Sequence, residues 1–449
     1  MSLTAFIGLE IHIELKTKSK MFCRCSADYL RVTTSKQGSL RSKGSYFAAA
    51  PNSYVCPICL GLPGALPFPN QKAMESVVLT GLSLNCQISN FSKFDRKNYF
   101  YPDLTKGYQI SQYDLPLCQK GKFENIRIRR VHLEEDTGKL IHEIVNNEKV
   151  SLIDFNRSGI PLMEIVTEPD LRLASQTKDF LKKLQQLVRC LGVADADMEK
   201  GQMRCEPTVN LEIIKNERKH YTPLVEIKNI NSFRFAEKAI EYEIKRQLEE
   251  FEKTGIEKET GNKTTRGWDE KNQKTVLQRE KEEAADYRYF PEPDIPPIRL
   301  SEKQIKEIKA KIPVLPEEKT ANLKKMGLTD YQAELISTSE EKVQVLADTL
   351  KINPKLSPSK IADLIINKKA NSPQKIVEML SAKKPMIESQ KLLSIIADVL
   401  KNNPSVVEEF KKGKETVIEF LIGQAMAQAK GQADPQQIRK LLREKLKSA

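Results

Sequence analysis

The sequence predicts a mixed strand-and-helix region over about the first 297 residues and an all-helical region from there to residue 449. Three observations carry this. Period-two alternation recurs in the first part, as in Leu9, Ile11, Ile13 and Leu15 set against Glu10, His12 and Glu14. Pro291, Pro293, Pro296 and Pro297 then punctuate the chain where its character changes most. Beyond them glycine is sparse, and Lys, Glu, Leu, Ile and Ala recur at helical spacing.

The elements follow in order. Strands are expected at 6–15, 125–133, 150–155, 162–167 and 207–214. Helices are expected at 70–84, where Asn70 can cap, at 175–191, where Leu181, Leu184, Leu187, Val188 and Leu191 share a face, and at 233–252. Residues 253–283 are highly polar, hold the only tryptophan, Trp268, and read as an exposed excursion with hairpin character. Pro313, Pro316, Gly327, Pro354, Pro358, Pro373, Pro385 and Pro404 break the helical part into short pieces. With a second boundary near 381–386, the expected domains are 1–297, 298–381 and 382–449.

Lys and Arg number 73 against 60 Asp and Glu, a net charge of +13. Such an excess suits a polyanionic partner such as nucleic acid, but lysine spread over helices would produce it too, and composition does not choose. No apolar run reaches the length of a membrane span, and the first residues lack a basic start followed by an apolar stretch, so a cytoplasmic protein is expected. Of eight cysteines, Cys23-Arg-Cys25 and Cys56-Pro-Ile-Cys59 form two short-spaced pairs that suit a tetrahedral thiolate Zn²⁺ site. Cys86, Cys118, Cys190 and Cys205 stand alone.

The polar face of the first strand sets Glu10, His12 and Glu14 side by side. Carboxylates are hard ligands for Mg²⁺ or Mn²⁺ and imidazole is a common metal ligand, although a solvated strand face would look the same. Further acids occur in His132-Leu-Glu-Glu-Asp136, at Glu164, in Arg204-Cys-Glu206 and at Glu226. Glu164 lies among Pro161, Leu162, Met163, Ile165 and Val166, where an ionised carboxylate needs a partner, and a cation would be one. Arg96, Arg157 and Arg204 accompany these acids and are candidates for phosphate contact on charge alone. A metal-binding acidic cluster bordered by guanidinium groups suits phosphoryl transfer. No GxxxxGK[ST] loop, protein-kinase signature or GxSxG motif is present, so any use of ATP belongs to another fold.

Seven segments then occur in order: Gly8–Thr17, Cys56–Phe68, Lys93–Leu115, His132–Leu140, Asp154–Leu171, Glu226–Arg234 and Asp286–Ile298. With the tail segment Asn403–Gln436 they resemble, over essentially the whole chain, the B-subunit family of the aspartyl/glutamyl-tRNA(Asn/Gln) amidotransferases. The resemblance implies an α+β cradle domain of the glutamine-synthetase type, then an all-α helical domain and a small all-α tail domain. It implies an ATP- and Mg²⁺-dependent ligase (Mn²⁺ being the alternative ion). That enzyme phosphorylates the side-chain carboxylate of Glu on tRNA(Gln), or of Asp on tRNA(Asn), and then amidates it. Ammonia would come from glutamine hydrolysed by the amidase, the A subunit of the complex. The C subunit would hold A and B together, and the helical part would contact the tRNA.

Carried over residue by residue, the resemblance assigns metal positions to Glu10, His12, Glu135, Glu164 and Glu226, the first four also catalytic. Glu206 stands where relatives commonly have Asp, and its extra methylene alters the reach of that ligand. Cys23, Cys25, Cys56 and Cys59 place the chain with zinc-bearing relatives. The stretch between Cys25 and Cys56 carries a basic Ser/Gly-rich insert near 35–45, and Leu277–Glu280 diverges from the family pattern. A non-catalytic zinc-containing RNA-binding protein would account for the charge and the cysteines but not for the ordered acids. A ligase acting on a small free carboxylate would have no use for such a tail.

In the tail, Gly423, Gly431 and Pro435 interrupt a helix pair, and Lys411, Lys412, Lys414, Lys430, Arg439, Lys440 and Arg443 supply positive charge. Contact with the tRNA backbone weakens with salt. Removal of the tail is expected to lower tRNA affinity, measured as a dissociation constant over a salt series, and to leave the first domain folded. Unchanged affinity would exclude the tail from tRNA binding.

Overall fold

The computed structural model describes residues 2–29, 50–280, 287–381, 389–411, 414–429 and 433–448. The insert near 35–45, Asp286, most of the boundary expected at 381–386, and Lys412, Lys430 and Gly431 lie outside the described residues. The chain divides into two compact units, Met1–Pro316 and Glu317–Ala449. No helix among the described residues is long and apolar enough to cross a membrane.

The first unit is rich in sheet. It opens with β1 (Ser2–Glu14), α1 (Gln71–Ser83), β2 (Gln87–Ile88), β3 (Phe91–Ser92), β4 (Asp95–Asn98) and β5 (Tyr108–Ser111). There follow β6 (Cys118–Phe123), β7 (Ile126–Glu135), β8 (Lys139–Val145), β9 (Glu148–Asp154), β10 (Pro161–Thr167) and α2 (Ala174–Cys190). It closes with β11 (Met203–Lys215), β12 (Arg218–Tyr221), β13 (Val225–Lys228), α3 (Phe233–Thr254), β14 (Thr264–Asp269), β15 (Lys274–Glu280), β16 (Phe290–Pro291), β17 (Ile298–Arg299) and α4 (Glu302–Lys309). The expected strands and helices of this region are present; β1 and β11 begin four residues earlier than expected, and α1 is one residue shorter at each end. Asn70 caps α1 as its sequence suggests, accepting from the Ala73 amide at 3.1 Å.

Ten strands form one sheet in the order β15-β14-β13-β11-β1-β10-β7-β6-β2, with β12 paired to β11. β1 runs antiparallel to β11 on one side and to β10 on the other, and β10 continues to β7. Alternation divides these strands into two faces. Leu9, Ile11, Ile13, Met163, Ile165, Val131, Leu133, Met203 and Cys205 are buried in the main core, joined by Phe180, Leu181, Leu184, Leu187 and Val188 of α2. The opposite face carries the polar residues. β4 and β5 form a small sheet with β16, β3 pairs with β17, and β8 and β9 make a separate hairpin.

Most described residues of the polar stretch, 253–280, are exposed as expected, while Thr265, Trp268 and Thr275 are buried. Its hairpin, β14 and β15, extends the main sheet because β14 pairs in parallel with β13. Trp268 is buried, with its ring 6.5 Å from that of Phe235 and 6.4 Å from that of Tyr242. The lone aromatic anchors an otherwise polar ribbon to α3.

The second unit is helical: α5 (Pro316–Lys325), α6 (Asp330–Ser337), α7 (Glu340–Ile352), α8 (Pro358–Ile366), α9 (Pro373–Ser381), α10 (Ser389–Asn402), α11 (Pro404–Lys411), α12 (Ile418–Gln428) and α13 (Pro435–Ser448). Five helices start on a proline, at 316, 358, 373, 404 and 435. There the missing N–H would have no intrahelical partner anyway and φ is already helical. Among the prolines that break the sequence pattern, Pro316, Pro358, Pro373 and Pro404 therefore act as helix starts. Two separate cores form, one around Leu323, Ile336, Leu346 and Ile361, the other around Leu392, Ile396, Leu421 and Leu442.

Ile11 lies at the centre of the main sheet with no exposed surface. Ile11→Ala is expected to lower the unfolding free energy of the first unit by about 2–5 kcal/mol through lost burial and a residual cavity. The check is the shift in urea midpoint; a change under ~1 kcal/mol would contradict this packing.

Candidate active site

The polar face is ordered by register. His12 lies opposite Glu164, and Glu164 opposite His132. Glu10 lies opposite Glu206, and His12 opposite Arg204. In the next row Leu162 lies between Glu14 and Glu134. Cross-strand and diagonal neighbours on one face are close enough to interact.

Three carboxylates and two imidazoles converge here. His12 Nε2 is 3.3 Å from Glu164 Oε2, 3.5 Å from Glu134 Oε1 and 3.6 Å from Glu10 Oε1. His132 Nε2 is 3.4 Å from Glu164 Oε2 and 3.9 Å from Glu134 Oε2. One donor atom each from Glu10, His12 and Glu164, and one each from His132, Glu134 and Glu164, lie within 4.8 Å of one another.

The electrostatics follow from crowding. The charge of Glu164, with burial, pushes Glu10 up to about 7. Burial, with the charge of Glu164, does the same to Glu134. Burial also works to protonate Glu164, but His132, a hydrogen bond from His12 and Arg130 outweigh it and hold this carboxyl well below the ordinary range. Burial opposes the charged form of His12, yet its bond to Glu164 and the surrounding acids raise it to about 10. His132, buried with less compensation, is pushed down to about 4. The Nδ1 atoms of both histidines are buried without a hydrogen-bond partner among the described residues. Repulsion that lifts two glutamates while a third stays ionised is relieved by a divalent cation, and an oxygen-rich donor set with imidazole fits Mg²⁺ or Mn²⁺.

Of the candidate ligands picked out in the sequence, Glu10, His12 and Glu164 are brought together. Glu135 is not among them. It has the other parity on β7, opposite Pro161, and pairs with Lys106 Nζ at 2.6 Å and the Ile110 amide at 3.1 Å. The acid that β7 turns into the cluster is Glu134, held also by the Ser111 hydroxyl at 3.2 Å. Glu206 shares the face but pairs with Lys228 at 3.3 Å. Glu226 lies between Lys228 and Lys263, which overcome its burial and take it to about 2.

The three arginines are engaged with protein groups. Arg96 makes a bidentate pair with Glu292, at 2.7 and 2.8 Å, and stacks on Tyr108. Arg157 donates to the Thr137 and Gly138 carbonyls at 3.0 and 2.6 Å. Arg204 pairs with Asp136. Two cations that the sequence did not single out face the cluster instead. Arg130 Nη2 is 3.4 Å from Glu164 Oε1. Burial opposes the charge of Lys97, but Tyr289 and the carboxylates of Glu134, Glu164 and Glu10 raise its pKa.

Cys23, Cys25, Cys56 and Cys59 bring their four Sγ atoms within 4.8 Å of one another. Cys56 and Cys59 Sγ are 3.8 Å apart, the edge expected of a tetrahedron with Zn–S bonds of about 2.3 Å. A hydrogen bond from Cys23 and the nearby Lys20 hold the Cys59 thiol down at about 4, against its burial. Lys20 itself is buried, 3.7 Å from Cys59 Sγ and 3.2 Å from the Phe155 carbonyl. A 140 Å³ cavity lies between this module and Glu135, lined also by Lys106, Tyr108 and Asp294. In the tail, Lys414, Arg439 and Arg443 pair with Glu409, Glu419 and Glu415.

Residues 5–306 match the family model described as the GatB/GatE catalytic domain, and residues 301–446 match the one described as the GatB domain. The B subunit of the aspartyl/glutamyl-tRNA(Asn/Gln) amidotransferase from Caldicellulosiruptor saccharolyticus is 40% identical, with 99% of each chain covered. Its counterpart from Persephonella marina is 40% identical over 100% of each chain, and that from Thermotoga maritima 38% over 98% of each.

The raised carboxyls set a pH dependence. Glu10 and Glu134 take up protons on folding between their ordinary value of 4.5 and about 7, so without metal their contribution to stability is present below 4.5 and is lost as pH rises through 7. A divalent cation competes with those protons. Mg²⁺ is therefore expected to raise the melting temperature more at pH 8 than at pH 6. An equal or reversed effect in paired thermal melts would rule out cation binding at these glutamates.

Proposed function

The chain belongs to the B-subunit family of the aspartyl/glutamyl-tRNA(Asn/Gln) amidotransferases, and on that premise we propose that it activates the side-chain carboxylate of Glu on tRNA(Gln), or Asp on tRNA(Asn), for amidation. The substrate carboxylate oxygen attacks the γ-phosphorus of ATP, the bond to ADP breaks, and an acyl phosphate forms. The nitrogen lone pair of ammonia then forms the C–N bond and the C–O electrons leave with phosphate. One proton of ammonia ends on that phosphate, so carboxylate, ATP and ammonia become amide, ADP and hydrogen phosphate. Activation is needed because a carboxylate is a poor electrophile, and shielding is needed because water would destroy the acyl phosphate.

The observation that carries the reading is the convergence of Glu10, Glu134 and Glu164 with His12 and His132 on one buried sheet face. These residues would hold Mg²⁺ or Mn²⁺, which supplies charge neutralisation at the phosphoryl oxygens. Without the cation, His12 Nε2 lies 3.3, 3.5 and 3.6 Å from Glu164, Glu134 and Glu10 and sets positive charge among them. Glu206 and Glu226 extend the acidic face, each tied to lysine. Arg96, Arg157 and Arg204 would act as struts that hold the loops at the ends of β4, β7 and β11, consistent with their protein partners.

The same reading includes a glutamine-synthetase-like cradle over 1–297, a helical domain over 298–381, a tRNA-binding tail over 382–449 and structural Zn²⁺ at Cys23, Cys25, Cys56 and Cys59. In it the A subunit is the amidase that supplies ammonia, and the C subunit makes the complex a heterotrimer. Geometry supports Glu134 for the metal, whereas the family pattern points to Glu135, and a pair of variants decides between them. The complex with its A and C subunits is assayed for Gln-tRNA formation from Glu-tRNA(Gln), ATP, Mg²⁺ and ammonium chloride. Glu164→Gln and Glu134→Gln are expected to lose about 100-fold or more in rate while the amidase still hydrolyses glutamine. Glu135→Gln is expected to lose less. A larger loss for Glu135→Gln would return the metal role to Glu135, and wild-type rates in Glu164→Gln would overturn the site.

A further inference from the structure

We infer that Arg130 is a catalytic residue, the guanidinium that contacts the phosphoryl group in transit between ATP and the substrate carboxylate, with Lys97 as the second positive charge. The inference rests on the reading of the acidic face as a phosphoryl-transfer site.

Transfer of a phosphoryl group spreads negative charge over its oxygens, so a site that gathers carboxylates must also present positive charge that the protein has not already used. The obvious candidates are used. Arg96 is locked to Glu292, Arg157 to two carbonyls and Arg204 to Asp136. On the outer part of β7, Arg127 and Arg129 pair with Asp170 and Glu168.

Arg130 differs in three respects. Register puts it opposite Val166, one row from the Glu164–His132 pair and on the same face. Its Nη2 reaches Glu164 Oε1 at 3.4 Å, longer than the roughly 2.7–2.9 Å of a charge-assisted hydrogen bond. Its Nε is buried with no hydrogen-bond partner among the described residues, a donor whose desolvation is otherwise uncompensated. An anion placed beside Glu164 would satisfy it. Lys97 is similar: among the described residues its ammonium has ring contacts, 4.8 Å from the Tyr287 centroid and 5.9 Å from that of Tyr99, but no ion pair within 4 Å. Arg130 therefore approaches along the main sheet and Lys97 from the small β16-β4-β5 sheet. A planar donor fork and a point charge suit the oxygens of one phosphoryl group.

The test uses the assembled heterotrimer with Glu-tRNA(Gln), ATP, ammonium chloride and Mg²⁺ at the concentration that just saturates the wild type. Arg130→Ala is expected to lower kcat about 100-fold or more, with ADP affinity by calorimetry within threefold of wild type. Millimolar guanidinium is expected to restore part of the rate, and Arg130→Lys to fall between. Arg127→Ala, on the same strand but paired with Asp170, is expected to stay within twofold. Should Arg130→Ala fail to assemble, judged by loss of glutamine hydrolysis, Arg130→Gln carries the same test. A rate within threefold of wild type overturns the inference. So does a loss that excess Mg²⁺ restores together with weakened ADP binding, because Arg130 would then only steady Glu164. Absence of amidated tRNA from wild type, or indifference to Glu164→Gln, strikes the amidotransferase site itself, which separates the two failures.

Discussion

Carboxylates on the inner rows of a buried sheet face repel one another at short range, and that repulsion organises this molecule. Glu164 stays ionised because two imidazoles and a guanidinium stand against it, and Glu10 and Glu134 are lifted to about 7 because they share its surroundings. The reverse side of the same strands is packed hydrocarbon. A slip of one residue in β1 would turn Ile11 and Ile13 into the acidic cluster and drive His12 into the core. The charged face is therefore specified by the apolar one, because register cannot shift without exposing the core.

The cations sort into two kinds. Several arginines among the described residues of this unit bolt a loop to a strand or one strand end to another, as Arg96 does to Glu292 and Arg204 to Asp136. Once a guanidinium has a bidentate partner, it is poorly suited to greet a substrate, since leaving that partner would strand a buried carboxylate. Groups with incomplete coordination are the ones free to respond when charge arrives. Counting basic residues near acidic motifs cannot separate these kinds, because the difference lies in what each side chain already touches.

Much of this was legible in the sequence, and the limits have identifiable causes. Alternation in 9–15 gave the face of Glu10 and His12 directly, because a strand's period of two is a local property. The apolar setting of Glu164 likewise marked it as needing a partner. The same alternation, applied to Arg130, His132 and Glu134 against Val131, Leu133 and Glu135, puts Glu134 on the face of His132, whereas the resemblance points to Glu135. Lys97 was not legible: its position depends on the small β16-β4-β5 sheet, whose pairing joins residues nearly 200 apart in sequence. Trp268 shows the converse, since a polar stretch hid one anchoring residue whose burial only the β13–β14 pairing explains.

The thiol module bears on how the face is held. The strand β1 ends at Glu14, and the next chain segment returns no regular element before α1 among the described residues. Backbone bonds from Met21 to Gly159, Phe68 to Phe22 and Asn70 to Met21 tie that segment to the loop before β10 and to the start of α1. At the centre of these ties sit Cys23, Cys25, Cys56 and Cys59, with buried Lys20 offsetting thiolate charge. A long loop costs little more to close than a short one, so the proposed metal at Cys23, Cys25, Cys56 and Cys59 would join two distant parts of the chain at modest entropic cost. Gly159 sits against it at φ +82°, where an ideal Cβ would meet Cys59 and Lys20 at 3.6 Å and Glu135 Oε2 at 3.9 Å. The end of β7 that carries Glu134 and Glu135 and the start of β10 thus abut the four thiols, and Met21, Phe22 and Ile58 join this module to the main core. The packed face of β1 supports the cluster from below, and the tied segment around the four thiols borders it at the rim.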